Sequence, residues 1–197
     1  MKPIFIHLPR TGGSFMRKVF ESYHVPNHDH GTIEELDNAD TYFKFGFIRN
    51  PFDWYVSRYF YYRQYPNSAE KGISKGFDLG IKHDAFFDKI HSVNTHIQIG
   101  INIDGFFLGD IYNKMYKVNG ELKLDYIARF ENMEQEIRTI LEMTEKPTEN
   151  LDTVLQQFQS KKNSTERKHY KYYFSQDAKN VILKKDKELF DTYRYEW

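Results

Sequence analysis

The sequence contains no cysteine. That removes disulfides, thiolate metal sites and cysteine nucleophiles, and it leaves the redox compartment open. Nor is there an excess of charge: 28 basic residues balance 28 acidic ones, so no global field favours nucleic acid or an anionic membrane, and any basic site must be local. No apolar run approaches the roughly 18 residues that a membrane-spanning helix needs. The N-terminus enters an apolar run without the charged n-region and h-region of a secretory leader. These absences predict a soluble, cytoplasmic protein with no nucleic-acid or membrane partner. At 197 residues a single domain spanning 1–197 is expected, large enough to bury roughly 70% of its unfolded surface. What abounds is aromatic: 15 Tyr and 17 Phe, a load suited to a packed core and to carbohydrate-facing surface.

Along the chain, strand-like and helix-like segments alternate. Ile4–Leu8 reads as a strand buried on both faces, and Phe15, Val19, Phe20 and Tyr23 follow it near helical spacing. After the polar stretch "HVPNHDHGTIEELDNAD", the run Tyr42–Ile48 reads as a second strand. Asn50 is a good N-cap, Pro51 fits the first helical position, and the charge of Asp53 favours a helix start there. Residues 66–115 are harder to read: "NSAEKGISKG" resembles an exposed loop, Phe77–Ile90 is partly helical in pattern, and "HSVNTHIQIGINIDGFF" suits helix or irregular chain. Asn119-Gly120 between strand-like flanks predicts a hairpin, Asp125–Phe130 a third strand, and Glu131–Thr144 a helix. Leu151, Val154, Leu155 and Phe158 mark a further amphipathic helix, and Ala178, Val181, Ile182 and Leu189 one closing helix. The alternation predicts an α/β fold around a mainly parallel sheet flanked by helices.

The stretch "IFIHLPRTGGSFMRKVF" carries the first chemistry. Adjacent glycines permit positive φ and close backbone approach, and the amides entering a helix are unsatisfied donors, so a phosphate or sulfate fits there. Arg10 adds a planar, permanent charge, while Thr11 and Ser14 add hydroxyls. The same residues also suit a tight turn whose glycines only allow packing. It is not the nucleoside-triphosphate P-loop, which requires G-x-x-x-x-G-K-[ST]. Arg49 ends the second strand, and Ser57 lies seven residues beyond the Asn50 cap, on the same helix face about two turns along.

Four segments carry a resemblance. "LPRTGGSF" resembles the 5′-phosphosulfate loop of sulfotransferases that use 3′-phosphoadenosine 5′-phosphosulfate (PAPS), and "FIRNPFDWYVSRYFYY" resembles their 3′-phosphate motif R-N-P-x-[DE]-x-x-x-S-x-Y. "DYIARFENM" and "HYKYYFSQDAKNVILKKDKELFDTYRYEW" are similar to segments of the carbohydrate branch of that family. The resemblance implies a P-loop-like fold and transfer of a sulfuryl group to an acceptor hydroxyl on a saccharide, with 3′-phosphoadenosine 5′-phosphate (PAP) as product and no metal. It implies that Arg10, Thr11, Gly12, Gly13, Ser14 and Phe15 hold the 5′ end and that Arg49 and Ser57 hold the 3′-phosphate. One departure stands out: the family usually has lysine where this chain has Arg10, and a guanidinium fork differs in geometry from an ammonium point charge.

The transfer needs a base. His30-Gly31-Thr32 fits the H-x-T pattern in which the carbohydrate branch places it, with His28 as the second candidate; His-Asp-His as metal ligands is the rival reading of this loop. His7 reads as a core residue of the first strand, and His24, His83, His91 and His169 have no distinctive context. His96 falls where the family lines its acceptor cleft. Lys161, Lys162, Arg167 and Lys168 form a basic loop where the family closes over the nucleotide or binds an anionic glycan; a solvated charge run reads the same. The alternatives are a P-loop-like nucleotide kinase, which would have no use for a 3′-phosphate motif, and a nucleotide-binding module without turnover.

Overall fold

The computed structural model describes residues 1–64, 107–158, 168–174 and 176–197. In chain order the elements are β1 (Lys2–Ile6), α1 (Gly13–Ser22), β2 (Tyr42–Ile48), α2 (Pro51–Gln64), α3 (Leu108–Tyr116), β3 (Lys117–Val118) and β4 (Glu121–Leu122). They continue with β5 (Tyr126–Arg129), α4 (Met133–Met143), α5 (Leu151–Phe158), α6 (Gln176–Lys185) and α7 (Lys187–Tyr193). The chain divides into two compact units, Met1–Arg49 with Tyr112–Lys162 and Asn50–Ile111 with Asn163–Trp197.

The first unit is built on a three-stranded parallel sheet in the order β1-β2-β5. β2 is central: Phe5 of β1 pairs with Phe45, and Phe45 pairs in turn with Tyr126 of β5. Phe5, Phe45 and Phe47 point to one face by the period of two. There they pack with Met16, Val19 and Phe20 of α1, Ile137, Ile140 and Leu141 of α4, and Leu151 and Leu155 of α5. Burying each such side chain contributes roughly 1.5–3 kcal/mol. On the opposite face Gly46 leaves room for Tyr116 of α3, since a Cβ there would lie 2.4 Å from the tyrosine oxygen. That hydroxyl donates to the Ile6 carbonyl at 3.2 Å, and it lies 3.3 Å from the Phe47 carbonyl. The fold is therefore α/β with a parallel sheet flanked by helices.

The Asn119-Gly120 hairpin joins β3 to β4. Asn119 has φ 52° and Gly120 φ 82°, the two positive values that a type I′ turn demands.

In the second unit α2 starts as its sequence predicts. The Phe52 amide donates to Asn50 Oδ1 at 3.0 Å, closing the N-cap, and Pro51 occupies the first turn. The Phe52 ring centres an aromatic cluster, with Phe174 and Phe190 both at 5.3 Å and Trp197 at 4.5 Å.

Three expectations need adjustment. The closing helix is two helices, broken at Asp186, whose fully buried carboxylate accepts from the Gly109 amide and the Tyr55 hydroxyl, each at 2.8 Å. β1 ends at Ile6, so His7 follows the strand. The third strand and the helix behind it are shorter than predicted, because a 3-10 turn, Phe130–Asn132, stands between them. The predicted loop and helix of 66–90, with His83, His91, His96, Lys161, Lys162 and Arg167, lie outside the described residues.

Candidate functional site

The loop after β1 turns on two glycines with different tasks. Gly12 is the N-cap of α1 at φ 82°, in the left-handed region, where a Cβ would strain the backbone; it would also meet Phe130 Cε2 at 2.8 Å. Gly13 is needed for space, because a Cβ there would lie 1.7 Å from His7 Nε2. A glycine N-cap offers no side-chain acceptor, and α1 has no side-chain cap bond and no acidic residue in its first turn. The cap bonds run from the Phe15 and Met16 amides to the Gly12 carbonyl at 3.0 and 3.1 Å. The amides of Gly13 and Ser14 take no part in them, and they remain at a helix N-terminus that favours negative charge.

The loop residues divide accordingly. The Thr11 hydroxyl donates to the Leu8 carbonyl at 2.7 Å and is fully buried, so it braces the loop. Phe15 packs against the core cluster and its amide is committed to the cap. Ser14 is exposed. Arg10 is half-buried and holds φ 65°, which turns its carbonyl toward Arg49.

Arg49 belongs to this loop in space. Its guanidinium stacks 4.2 Å over the Phe130 ring and donates to the Arg10 carbonyl at 3.0 Å. Phe130 therefore touches both halves of the candidate site, as a platform under Arg49 and a wall beside Gly12. Phe130 carries no role in the sequence pattern of "DYIARFENM"; its signal there is an aromatic directly after a strand end, which meets Gly12 only once β5 pairs with β2. Ser57 lies in the second unit, buried in α2 with 4% of its surface exposed.

The histidine loop is placed by backbone bonds. Its segment runs along the outer edge of β1: the Phe5 amide donates to the Pro26 carbonyl, the His28 amide to Phe5, and the His7 amide to Asp29, at 2.8–3.0 Å. Asn27 Oδ1 accepts from the Asp29 amide at 3.0 Å, a turn that tolerates the positive φ of 49° at Asp29. A capping box closes the segment, with Glu35 Oε2 accepting from the Thr32 amide at 2.8 Å.

This places the two candidate bases differently. His28 Nε2 donates to the Thr32 carbonyl at 2.9 Å, folding the ring over Gly31. His30 Nδ1 lies 3.1 Å from the His7 carbonyl. A carbonyl only accepts, so Nδ1 carries the proton, and in the neutral ring Nε2 is left as the basic nitrogen. The His30 ring stands 4.4 Å from that of His7. Burial lowers His7 to about 4 and keeps it neutral near pH 7, while contact with His7 lowers Asp29 to about 2. His7 Nδ1 is 3.7 Å from Asp29 Oδ1, and His7 Nε2 is buried with no hydrogen-bond partner.

The geometry thus gathers open helix amides, two arginines tied through the loop backbone, and an imidazole with a free basic nitrogen, all in the first unit. Such a constellation can neutralise an oxyanion and accept a proton. No family model matches the chain, and no curated protein matches it.

Proposed function

We propose that the chain is a PAPS-dependent sulfotransferase of P-loop-like fold that acts on a saccharide hydroxyl. The observation that carries this reading is the Gly12-capped loop with Arg49 bonded to its backbone. The capless N-terminus of α1 suits the 5′-phosphosulfate, and Arg49, stacked on Phe130, suits the 3′-phosphate. Parallel strand order and an anion loop after the first strand support the fold reading.

In this reading PAPS supplies an activated sulfuryl group. The acceptor oxygen attacks sulfur, the bond from sulfur to the phosphate oxygen breaks, and its electron pair leaves with PAP. His30 Nε2 takes the acceptor proton, and its Nδ1–H stays on the His7 carbonyl and fixes the ring. Arg10 and the amides of Gly13 and Ser14 stabilise charge on the leaving oxygen, the main task of a site for transfer by in-line displacement.

The test compares ligands and then turnover. PAP should raise the melting temperature well above AMP, since loss of a charge-assisted contact to the 3′-phosphate forfeits roughly 1.5–3 kcal/mol. Labelled PAPS with a saccharide panel should give product, and His30→Ala should lower kcat by roughly 10²–10⁴ with PAP affinity kept. Equal shifts for PAP and AMP would sink the assignment; PAP binding without transfer would leave a nucleotide-binding module.

A further inference from the structure

We propose that His7, Asp29 and His30 form a binding site for a borderline divalent cation, zinc by preference, and that an ion there silences His30 as a base. The second half rests on the transfer reading above; the first does not. One ligand atom from each residue lies within 4.8 Å of the other two. His7 Nδ1 and Asp29 Oδ1 are 3.7 Å apart. Zinc bonds of about 2.0–2.1 Å at tetrahedral angles put neighbouring ligand atoms about 3.3–3.5 Å apart, so the His7–Asp29 pair closes on an ion with a few tenths of an ångström and the set as a whole with a shift of at most about 1.5 Å.

The backbone already holds the three groups together. The His7 amide donates to the Asp29 carbonyl at 3.0 Å and His30 Nδ1 bonds the His7 carbonyl at 3.1 Å. Exposure is graded in a useful way: the His7 side chain is 12% exposed and the Asp29 side chain 62%, one fixed ligand and one reachable from solvent. Two imidazoles and a carboxylate suit zinc, whereas magnesium and calcium want oxygen alone. Three protein ligands leave a fourth position for water. The sequence displays only His28-Asp29-His30, in which no third separated partner is visible; the edge pairing with β1 supplies His7 and excludes His28, whose Nε2 is spent on Thr32. An ion on either His30 nitrogen leaves the proton on the other, and no lone pair remains for an acceptor hydroxyl.

The test uses tag-free protein stripped with chelator and titrated with zinc chloride by calorimetry, and with cobalt(II) by visible absorption. One equivalent should bind, and cobalt should show the intense bands of a tetrahedral site. Asp29→Asn and His30→Gln should each weaken zinc by at least the 10–100-fold that losing a supporting group costs a metal site. His28→Gln should bind as wild type does. Unfolding midpoints near wild type for both weakened variants show that the loss is local. No binding, or binding indifferent to Asp29→Asn and His30→Gln, overturns the site. Zinc should also suppress transfer, reversibly with chelator. A chain that transfers nothing even without zinc removes the transfer reading while calorimetry still decides the site; undiminished transfer at saturating zinc overturns the silencing.

Discussion

Each unit holds a helix start and a buried ionisable side chain, and the two treat them in opposite ways. In the second unit, α2 is capped by Asn50, whose Oδ1 takes the Phe52 amide. Its buried carboxylate, Asp186, is fully engaged, with one oxygen on the Gly109 amide and the other on Tyr55, which accepts in turn from the Leu108 amide at 2.9 Å. In the first unit, α1 begins at a glycine with no side-chain cap, and the buried His7 Nε2 has no partner. Among the described residues, no buried side-chain nitrogen or oxygen of the second unit is left without a partner. Unsatisfied polar groups cost free energy unless something else answers them. The contrast is that the unanswered buried side-chain groups among the described residues all lie in the first unit, where the proposed site is built.

The largest effect should come from making the first unit more like an ordinary helix start. Gly13→Ala puts a Cβ on the His7 ring, an overpacking that costs typically about 1–3 kcal/mol and more where neither partner can move. It should also abolish the PAP-induced melting shift, because the ring and the loop cannot both keep their places. A variant that melts and binds PAP as wild type does would break the comparison at its root.

The next effect is electrostatic and runs oppositely in the two units. Burial lifts Asp186 to about 7, above its unfolded value of 3.8, so the folded chain binds the extra proton and this group's contribution grows as pH falls from about 7 toward 4. His7 is lowered to about 4 from 6.5. Its contribution is present above pH 6.5 and is lost as pH falls through 4. Urea unfolding at pH 5 and pH 7 should therefore show the stability gap between wild type and Asp186→Asn widening at pH 5, by at most about 1.4 kcal/mol per pH unit. For His7→Gln the gap should narrow. Identical gaps at both values would remove the electrostatic half of the contrast.

The smallest effect sharpens the comparison of the caps. Asn50→Ala removes the Phe52 bond and should cost about 1 kcal/mol, the usual price of an N-cap. The PAP shift should survive it, in contrast to Gly13→Ala. Loss of PAP binding on Asn50→Ala would mean that the second helix start also serves a ligand.

Much of this was legible from local signals. Strand β2 came out with its predicted bounds, Tyr42–Ile48, because a short run in which five of seven residues are aromatic or β-branched, bounded by polar stretches, favours a strand. The Asn50-Pro51 start and the Asn119-Gly120 turn were equally readable, since each depends on φ and on groups within two or three residues. The candidate loop was visible for the same reason: a Gly-Gly pair between an apolar run and a helix signals its own backbone.

Long-range partners were not. Nothing near residue 186 announces that its aspartate breaks the closing helix, because Tyr55 and Gly109 reach it from distant segments. His7 reads as a core residue until the edge pairing of residues 26–29 brings Asp29 and His30 beside it. Phe130 gains its place only when β5 lies parallel to β2 and meets Arg49 and Gly12. The amino-acid sequence by itself determined where the backbone turns, caps and extends, because those choices are made by neighbours in the chain. Which polar groups are answered and which are left open was decided by the tertiary structure, because a buried hydrogen bond or a shared ion site requires partners that only folding brings within about 3 Å of one another.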